Sequence, residues 1–346
     1  MIQEAIGKLV ARQALSEEES AAVAEDIMTG EATPAQIGAF LVALRLTGET
    51  VEALTGMARV MREKALHVET DGQLVDVVGT GGDGLRTFNV STASALTVAA
   101  AGVKVAKHGN RAASGSVGAA DILDVSGVKL ELSPEAVGRC IDEVGVGFMF
   151  AQAFHPAMRF AGPPRRELGV RTVFNFLGPL TNPAGALYQL LGVAQPADVS
   201  YDVAELMAHV LGALGTERSW VVRGDDGLDE LTTTATSQVW EVSAEGVRHF
   251  TLTPEDAGLP RGSLADLQIE GVEQAREKFT RALSAGDSPE KDMVLLNSAA
   301  ALVVRGVADD LPSGVATARA AIDSGGALNK LRQLADLSQS LGYRKP

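Results

Sequence analysis

A single cysteine, Cys140, stands in a chain of 346 residues, which excludes an intrachain disulfide framework and makes a reducing, cytoplasmic setting the expectation. Cys140 falls in an apolar helical pattern with Val137, Ile141 and Val144, the setting of a small core residue and not of a nucleophile. Long hydrophobic runs are also missing. The richest stretch, Ala93 to Ala106, is interrupted by Ser94, Thr97 and Lys104, and the segment Met1 to Val10 contains Glu4 and no apolar signal core; neither secretion nor a membrane span is expected. Positive charge is scarce, since 30 Lys and Arg against 44 Asp and Glu give a formal charge of −14. Such a surface repels phosphate backbones, so general nucleic-acid binding is not expected. Residues 1–70, with six Lys/Arg and eleven Asp/Glu, offer no basic face either. No Cys/His set has zinc spacing, no glycine loop ends in Gly-Lys-Ser/Thr, and no Gly-x-Ser-x-Gly elbow occurs. These absences argue against structural zinc, a P-loop nucleoside triphosphatase and a serine hydrolase.

What is present falls into two parts, as the length allows. Residues 1–72 read as helices without a strand. Ile2, Ile6, Leu9 and Val10 form one apolar stripe, Ser16 with Glu19 makes a capping-box pattern before Val23 and Ile27, and Thr33-Pro34 opens a stretch carrying Ile37, Phe40, Leu41 and Leu44. A fourth helix follows Thr50. After Gly72 the pattern changes to short β-rich runs at Leu74–Val78, Val103–Ala106, Val146–Phe150, Leu187–Val193, Ser219–Val222, Val239–Val242 and Val247–Leu252. Helical patterns separate most of them, so the fold class is α/β: a small helical N-terminal domain (1–72) and a larger domain (73–346) with a mostly parallel central sheet flanked by helices, the last two runs being antiparallel. Segment 151–186, richer in Pro and Arg, breaks the strand rhythm and is expected to join the helical domain.

Four loops carry chemistry. Gly79-Thr80-Gly81-Gly82-Asp83 follows the first strand and precedes a helix beginning near Ser91; glycines there let backbone N–H groups approach an anion, and the helix N-terminus adds partial positive charge. Asn89, Ser91 and Thr92 add side-chain oxygens at that cap, where a phosphate or its metal would sit, although as plain caps they need no ligand. Lys107-His108-Gly109-Asn110-Arg111 is expected just after the second strand, facing the same crevice, with Lys107 and Arg111 balancing charge and His108 and Asn110 giving directed hydrogen bonds. Asp225-Asp226-Gly227-Leu228-Asp229-Glu230 follows the fifth run, and its adjacent carboxylates are either solvated or neutralised by a cation such as magnesium. Gly162-Pro163-Pro164-Arg165-Arg166 is expected to place two guanidiniums after a rigid turn, one of which can fork onto a carboxylate. His155 reads as a structural residue at a helix start.

Together these motifs, with Asn89-Val90-Ser91-Thr92, Phe154-His155-Pro156-Ala157-Met158-Arg159, Arg165-Arg166-Glu167-Leu168-Gly169, the run Phe174 to Pro183 and Gly227-Leu228-Asp229-Glu230, resemble the anthranilate phosphoribosyltransferase family in order and spacing over nearly the whole chain. The resemblance implies a nucleoside phosphorylase/phosphoribosyltransferase-like fold, a homodimer built through the helical domain, and transfer of phosphoribosyl from phosphoribosyl pyrophosphate (PRPP) to anthranilate with Mg2+ in tryptophan biosynthesis. It also implies site residues. Gly79, Gly82, Asp83, Thr87, Asn89, Val90, Ser91, Thr92, Lys107, His108, Gly109, Asn110, Arg111, Ala112, Ala113, Ser114, Gly115 and Ala119 would hold PRPP. Gly79, Asn110 and Arg165 would meet anthranilate, Ser91, Asp229 and Glu230 would hold the metal, and Lys107 would stabilise the leaving group. One stretch departs from the family pattern: Ser114-Gly115-Ser116-Val117-Gly118-Ala119-Ala120-Asp121 lacks a basic residue and a hydroxyl, which predicts a donor hold weaker by about 1–3 kcal/mol. A pyrimidine nucleoside phosphorylase, with a different lysine motif, and a non-catalytic binding paralogue are the competing readings.

Overall fold

The computed structural model describes residues 1–112 and 117–342. Four helices open the chain: α1 (Ile2–Val10), α2 (Glu17–Thr29), α3 (Pro34–Thr47) and α4 (Val51–Glu63). Local sequence accounts for their starts. The Ser16 hydroxyl accepts from the Glu19 N–H while the Glu19 carboxylate accepts from the Ser16 N–H, and Thr33 and Gln36 repeat the reciprocal pair ahead of Pro34.

Seven strands follow, at the places where the alternating pattern put them: β1 (Val75–Gly79), β2 (Val105–Gly109), β3 (Val146–Phe150), β4 (Tyr188–Gly192), β5 (Arg218–Gly224), β6 (Ser237–Ser243) and β7 (Gly246–Leu252). They form one sheet in the order β3-β2-β1-β4-β5-β6-β7, parallel through β5 and antiparallel at β6 and β7. The chain steps outward from β1 to β3 and then resumes on the other side of β1 at β4. That reversal opens a crevice beyond the carboxyl ends of β1 and β4, the position where ligands bind in open α/β sheets.

Each sheet face has its own core. Val75, Val77, Val105, Leu190 and Val222 point to the face covered by helix α5 (Val90–Ala100) and the C-terminal helices Pro289–Val304, Leu311–Asp323 and Gly326–Leu341. Val78, Leu191, Val221 and Trp240 point to the other face, where helix Val203–Ala213 and residues of α1 to α4 complete a single continuous core. The N-terminal helices therefore share their hydrophobic interior with the sheet. Segment 151–186 contributes Ala161, Phe174, Phe176 and Leu180 to that shared core, and its helix Met158–Leu168 packs on α2 and α3. No helix among the described residues is long and apolar enough to cross a membrane.

Two sequence expectations are corrected. Lys107 and His108 lie within β2 rather than after it; the strand tolerates Lys107 because its buried ammonium donates to the Val77 carbonyl at 2.6 Å and the Ser91 hydroxyl at 3.2 Å. Pro163 and Pro164 make no turn. They lie inside helix Met158–Leu168, because their fixed φ is already helical, and Pro164 is buried while Gly169, at φ 65°, ends the helix.

Candidate active site

Residues at or beyond the ends of β1, β2 and β5 meet in the crevice. Beyond β1, the Gly81 N–H donates to Asp229 Oδ2 at 2.6 Å, which ties the glycine loop to the acidic loop beyond β5. A Cβ at Gly79 would overlap the same Asp229 carboxylate, so a side chain there would have to displace it. Asp229 and Glu230 are both driven to higher pKa, first by burial and then by neighbouring carboxylates, Asp83 for Asp229 and both Asp229 and Asp83 for Glu230. Three acidic groups drawn together in a partly buried crevice are a site for positive charge. Part of it comes from Lys107, whose ammonium, held down at about 8 by burial, is favoured by Asp76 and Glu230 and stays protonated at neutral pH.

Strand alternation sends Lys107 and His108 to opposite faces. Lys107 reaches Ser91 at the start of α5, whereas His108 Nδ1 lies 3.2 Å from the Gly178 carbonyl and its ring packs on His155, with centroids 5.1 Å apart. Asp76, one strand over, accepts from the His108 N–H at 3.3 Å and from Asn182 Nδ2 at 2.8 Å. Asp76 was not legible as a functional position, because an acidic residue within an apolar strand gives no loop signal.

At the cap of α5, Asn89 Nδ2 donates to the Val117 carbonyl at 2.7 Å, while its Oδ1, Thr92 Oγ1 and Glu230 Oε2 are buried and have no partner among the described residues. Buried polar atoms are rarely left so, and all three belong to the expected donor and metal set. Thr87 pairs with Gln268 in an isolated bridge and Val90 is buried in the first turn of α5. Gly109 ends β2 against Ala119, which opens helix α6 (Ala119–Val125). Arg111 is engaged elsewhere: its guanidinium donates to Asp121 and Asp124, each at 2.8 Å, so its charge is already balanced. Asn110 is exposed and its Oδ1 accepts the Arg111 N–H at 2.8 Å. Arg165 is half-buried over the Phe174 ring at 5.1 Å, with no ion-pair partner among the described residues and a pKa lowered by burial. Arg166 beside it is exposed. Among the described residues no hydrogen bond joins Asn110 to Arg165. Ala112 precedes Ala113, Ser114, Gly115 and Ser116, which lie outside the described residues.

The two histidines make stability depend on pH. Burial and the neighbouring His155 hold His108 at about 3, and burial holds His155 at about 4. Both lie below the ordinary value of about 6.5, so between these limits the unfolded chain binds more protons and stability falls as pH drops. The parent is expected to lose about 2 kcal/mol more than a His155→Asn variant between pH 7.5 and 5, from about 1.5 pH units at roughly 1.4 kcal/mol each. Urea unfolding at the two pH values measures it; equal losses would contradict it.

The family model of the glycosyl transferase a/b domain matches residues 71–328, and that of the same family's helical bundle domain matches residues 3–65. The anthranilate phosphoribosyltransferase of Chloroflexus aurantiacus is 52% identical over 98% of this chain and 99% of its own length. The crystal structure of the enzyme of that name from Thermus thermophilus superposes with a TM-score of 0.90 at 44% identity, covering 97% of this chain and 99% of that one. The Saccharomyces cerevisiae enzyme in complex with PRPP and Mg gives a TM-score of 0.87 at 27% identity, covering 98% of each chain. With family models spanning both parts of the fold and a relative more than half identical end to end, the chain belongs to the anthranilate phosphoribosyltransferase family.

Proposed function

We propose that the protein transfers the phosphoribosyl group of PRPP to the amine of anthranilate, giving N-(5-phosphoribosyl)anthranilate and pyrophosphate. The observation that carries this reading is the group at the switch point: Lys107 bonded to Ser91 beside Glu230, whose buried Oε2 has no partner among the described residues. The amine nitrogen attacks the anomeric carbon as the bond to the pyrophosphate oxygen breaks, and the amine proton passes to solvent. The aromatic amine is neutral near pH 7, so positioning and charge stabilisation carry the catalysis. Lys107 and the amides of the glycine loop hold the departing pyrophosphate, and Arg165 forks onto the anthranilate carboxylate.

The acidic pair fits a divalent cation. Burial and neighbouring carboxylates oppose ionisation of Asp229 and Glu230, and Glu230 Oε2 has no partner among the described residues. Among the described residues no three His, Cys, Asp or Glu side chains form a metal cage by themselves, so phosphate oxygens and water would complete the shell. Held by Ser91, Asp229 and Glu230, Mg2+ would supply charge neutralisation for the leaving pyrophosphate. Asp226 keeps this loop in shape: its carboxylate accepts from the Leu228 N–H at 3.2 Å and the Thr232 hydroxyl at 2.7 Å, and also from the Thr234 hydroxyl. Asp226→Ala is expected to raise the magnesium concentration for half-maximal activity about tenfold while the Michaelis constant for anthranilate stays within about twofold. An unchanged magnesium titration would contradict that role.

We also propose a homodimer through the N-terminal helices, which expose Met1, Val10, Val42 and Leu46. The activity is tested by mixing the protein with anthranilate, PRPP and magnesium and following anthranilate fluorescence. Loss of fluorescence that stops on chelation is expected; no loss, together with phosphorolysis of thymidine, would favour a nucleoside phosphorylase instead.

A further inference from the structure

Arg171 sits three residues beyond the end of helix Met158–Leu168, on the segment that packs against α2 and α3, and reaches across to the glycine loop. One amino group of its guanidinium donates to the carbonyls of both Gly81, at 3.2 Å, and Gly82, at 2.6 Å. A Cβ on Gly82 would overlap that guanidinium, so glycine here makes room for Arg171 as well as for a φ of 80°. On the other flank Asp229 holds the Gly81 N–H. The loop is thus gripped from two sides by residues of different segments.

The direction of the grip has a chemical consequence. In a trans peptide the C=O and the N–H that share one peptide plane point in opposite directions. Drawing the Gly81 and Gly82 carbonyls onto one guanidinium therefore turns the Gly82 and Asp83 N–H groups away from it. Gly81 and Gly82 both have left-handed φ, 68° and 80°, which glycine adopts without strain, and adjacent backbone N–H groups turned to one side present partial positive charge to an anion. Among the described residues neither of these two N–H groups has an acceptor.

We propose that Arg171 is a positioning residue for the phosphoribosyl donor: it turns the Gly82 and Asp83 amides toward the donor's pyrophosphate, without itself contacting it. The inference rests on the donor-site reading above and adds what orients the amides. It also makes the loop's shape depend on the segment packed against the helical part of the fold, so that the two sides of the crevice are coupled through one side chain.

The test is calorimetric titration of inorganic pyrophosphate with magnesium into the parent, Arg171→Ala, Arg171→Gln and Arg171→Lys, with steady-state kinetics of each. In the Ala and Gln variants pyrophosphate binding is expected to weaken about tenfold or more and the Michaelis constant for PRPP to rise by a similar factor. The constant for anthranilate stays within about twofold. Lysine keeps the charge but not the planar donor fork, so Arg171→Lys restores only a minor part of the loss. Unchanged pyrophosphate binding in the folded Gln variant, full rescue by lysine, or an equal loss for anthranilate would overturn the proposal. A parent protein that does not bind pyrophosphate would overturn the donor-site reading itself.

Discussion

Replacing Asp229 by Asn and Glu230 by Gln together is expected to lower kcat/KM by about 10³-fold or more, equivalent to about 4 kcal/mol of transition-state stabilisation, while leaving the fold intact. The amides are chosen because Asp229 has two tasks. It accepts the Gly81 N–H at 2.6 Å, and alanine there would release the glycine loop as well as remove a charge, whereas asparagine can still accept that bond. Stability should not fall. Both carboxyls are buried, and their pKa values are raised first by that burial and then by neighbouring carboxylates, so at neutral pH their ionised forms destabilise the folded state relative to the unfolded one. Neutral amides remove that repulsion, and a melting temperature equal to or above the parent's is expected. Full activity of the double variant at ordinary magnesium would remove this pair from the metal site.

Arg165→Ala is expected to raise the Michaelis constant for anthranilate about tenfold to a hundredfold, the roughly 1.5–3 kcal/mol of a charge-assisted hydrogen bond, with little change for PRPP. The structure strengthens the argument from sequence. Arg165 is half-buried against Phe174 without a carboxylate partner among the described residues, so its desolvation is not offset by another protein charge. An anionic aromatic acid would supply the partner in an otherwise acidic protein of charge −14. Arg166→Ala, at an exposed position, serves as the comparison and should change either constant by less than about threefold. Equal losses for donor and acceptor in Arg165→Ala would indicate a deformed crevice, and no loss would remove Arg165 from the site.

The fold was legible because its pattern is local: seven apolar β-rich runs separated by helical periods mark seven strands, and Ser16/Glu19 and Thr33/Gln36 mark helix starts. What escaped depends on tertiary contact. A charged residue ended the second run at Ala106 on paper, but β2 continues through Lys107 because Val77 and Ser91 receive its ammonium. Pro163 and Pro164 are turn signals in isolation and become helical where α2 and α3 support them. The glycine loop, Lys107, Asp229 and Glu230 could be picked out because each lies at or just after a β-rich run, and the sheet brings them to one crevice. Arg111 could not be separated from its neighbours by type, and only the positions of Asp121 and Asp124 show that its charge is balanced. Asp76, Asp226 and Arg171 make their hydrogen bonds to other protein groups, and residue type alone does not reveal that.

The central claim is that the crevice beyond β1 and β4 breaks the bond between ribose and pyrophosphate only as it makes one to the anthranilate nitrogen. Phosphorus NMR of PRPP with magnesium tests it most directly, run with the parent and with the Asp229→Asn, Glu230→Gln variant, in the presence and absence of anthranilate. The account predicts that the parent with anthranilate converts the donor's pyrophosphoryl signals to free pyrophosphate in step with anthranilate consumption, that the parent without anthranilate leaves the donor intact, and that the variant leaves it intact with or without anthranilate over the same time. Pyrophosphate release without anthranilate, or release by the variant at the parent's rate, would contradict it.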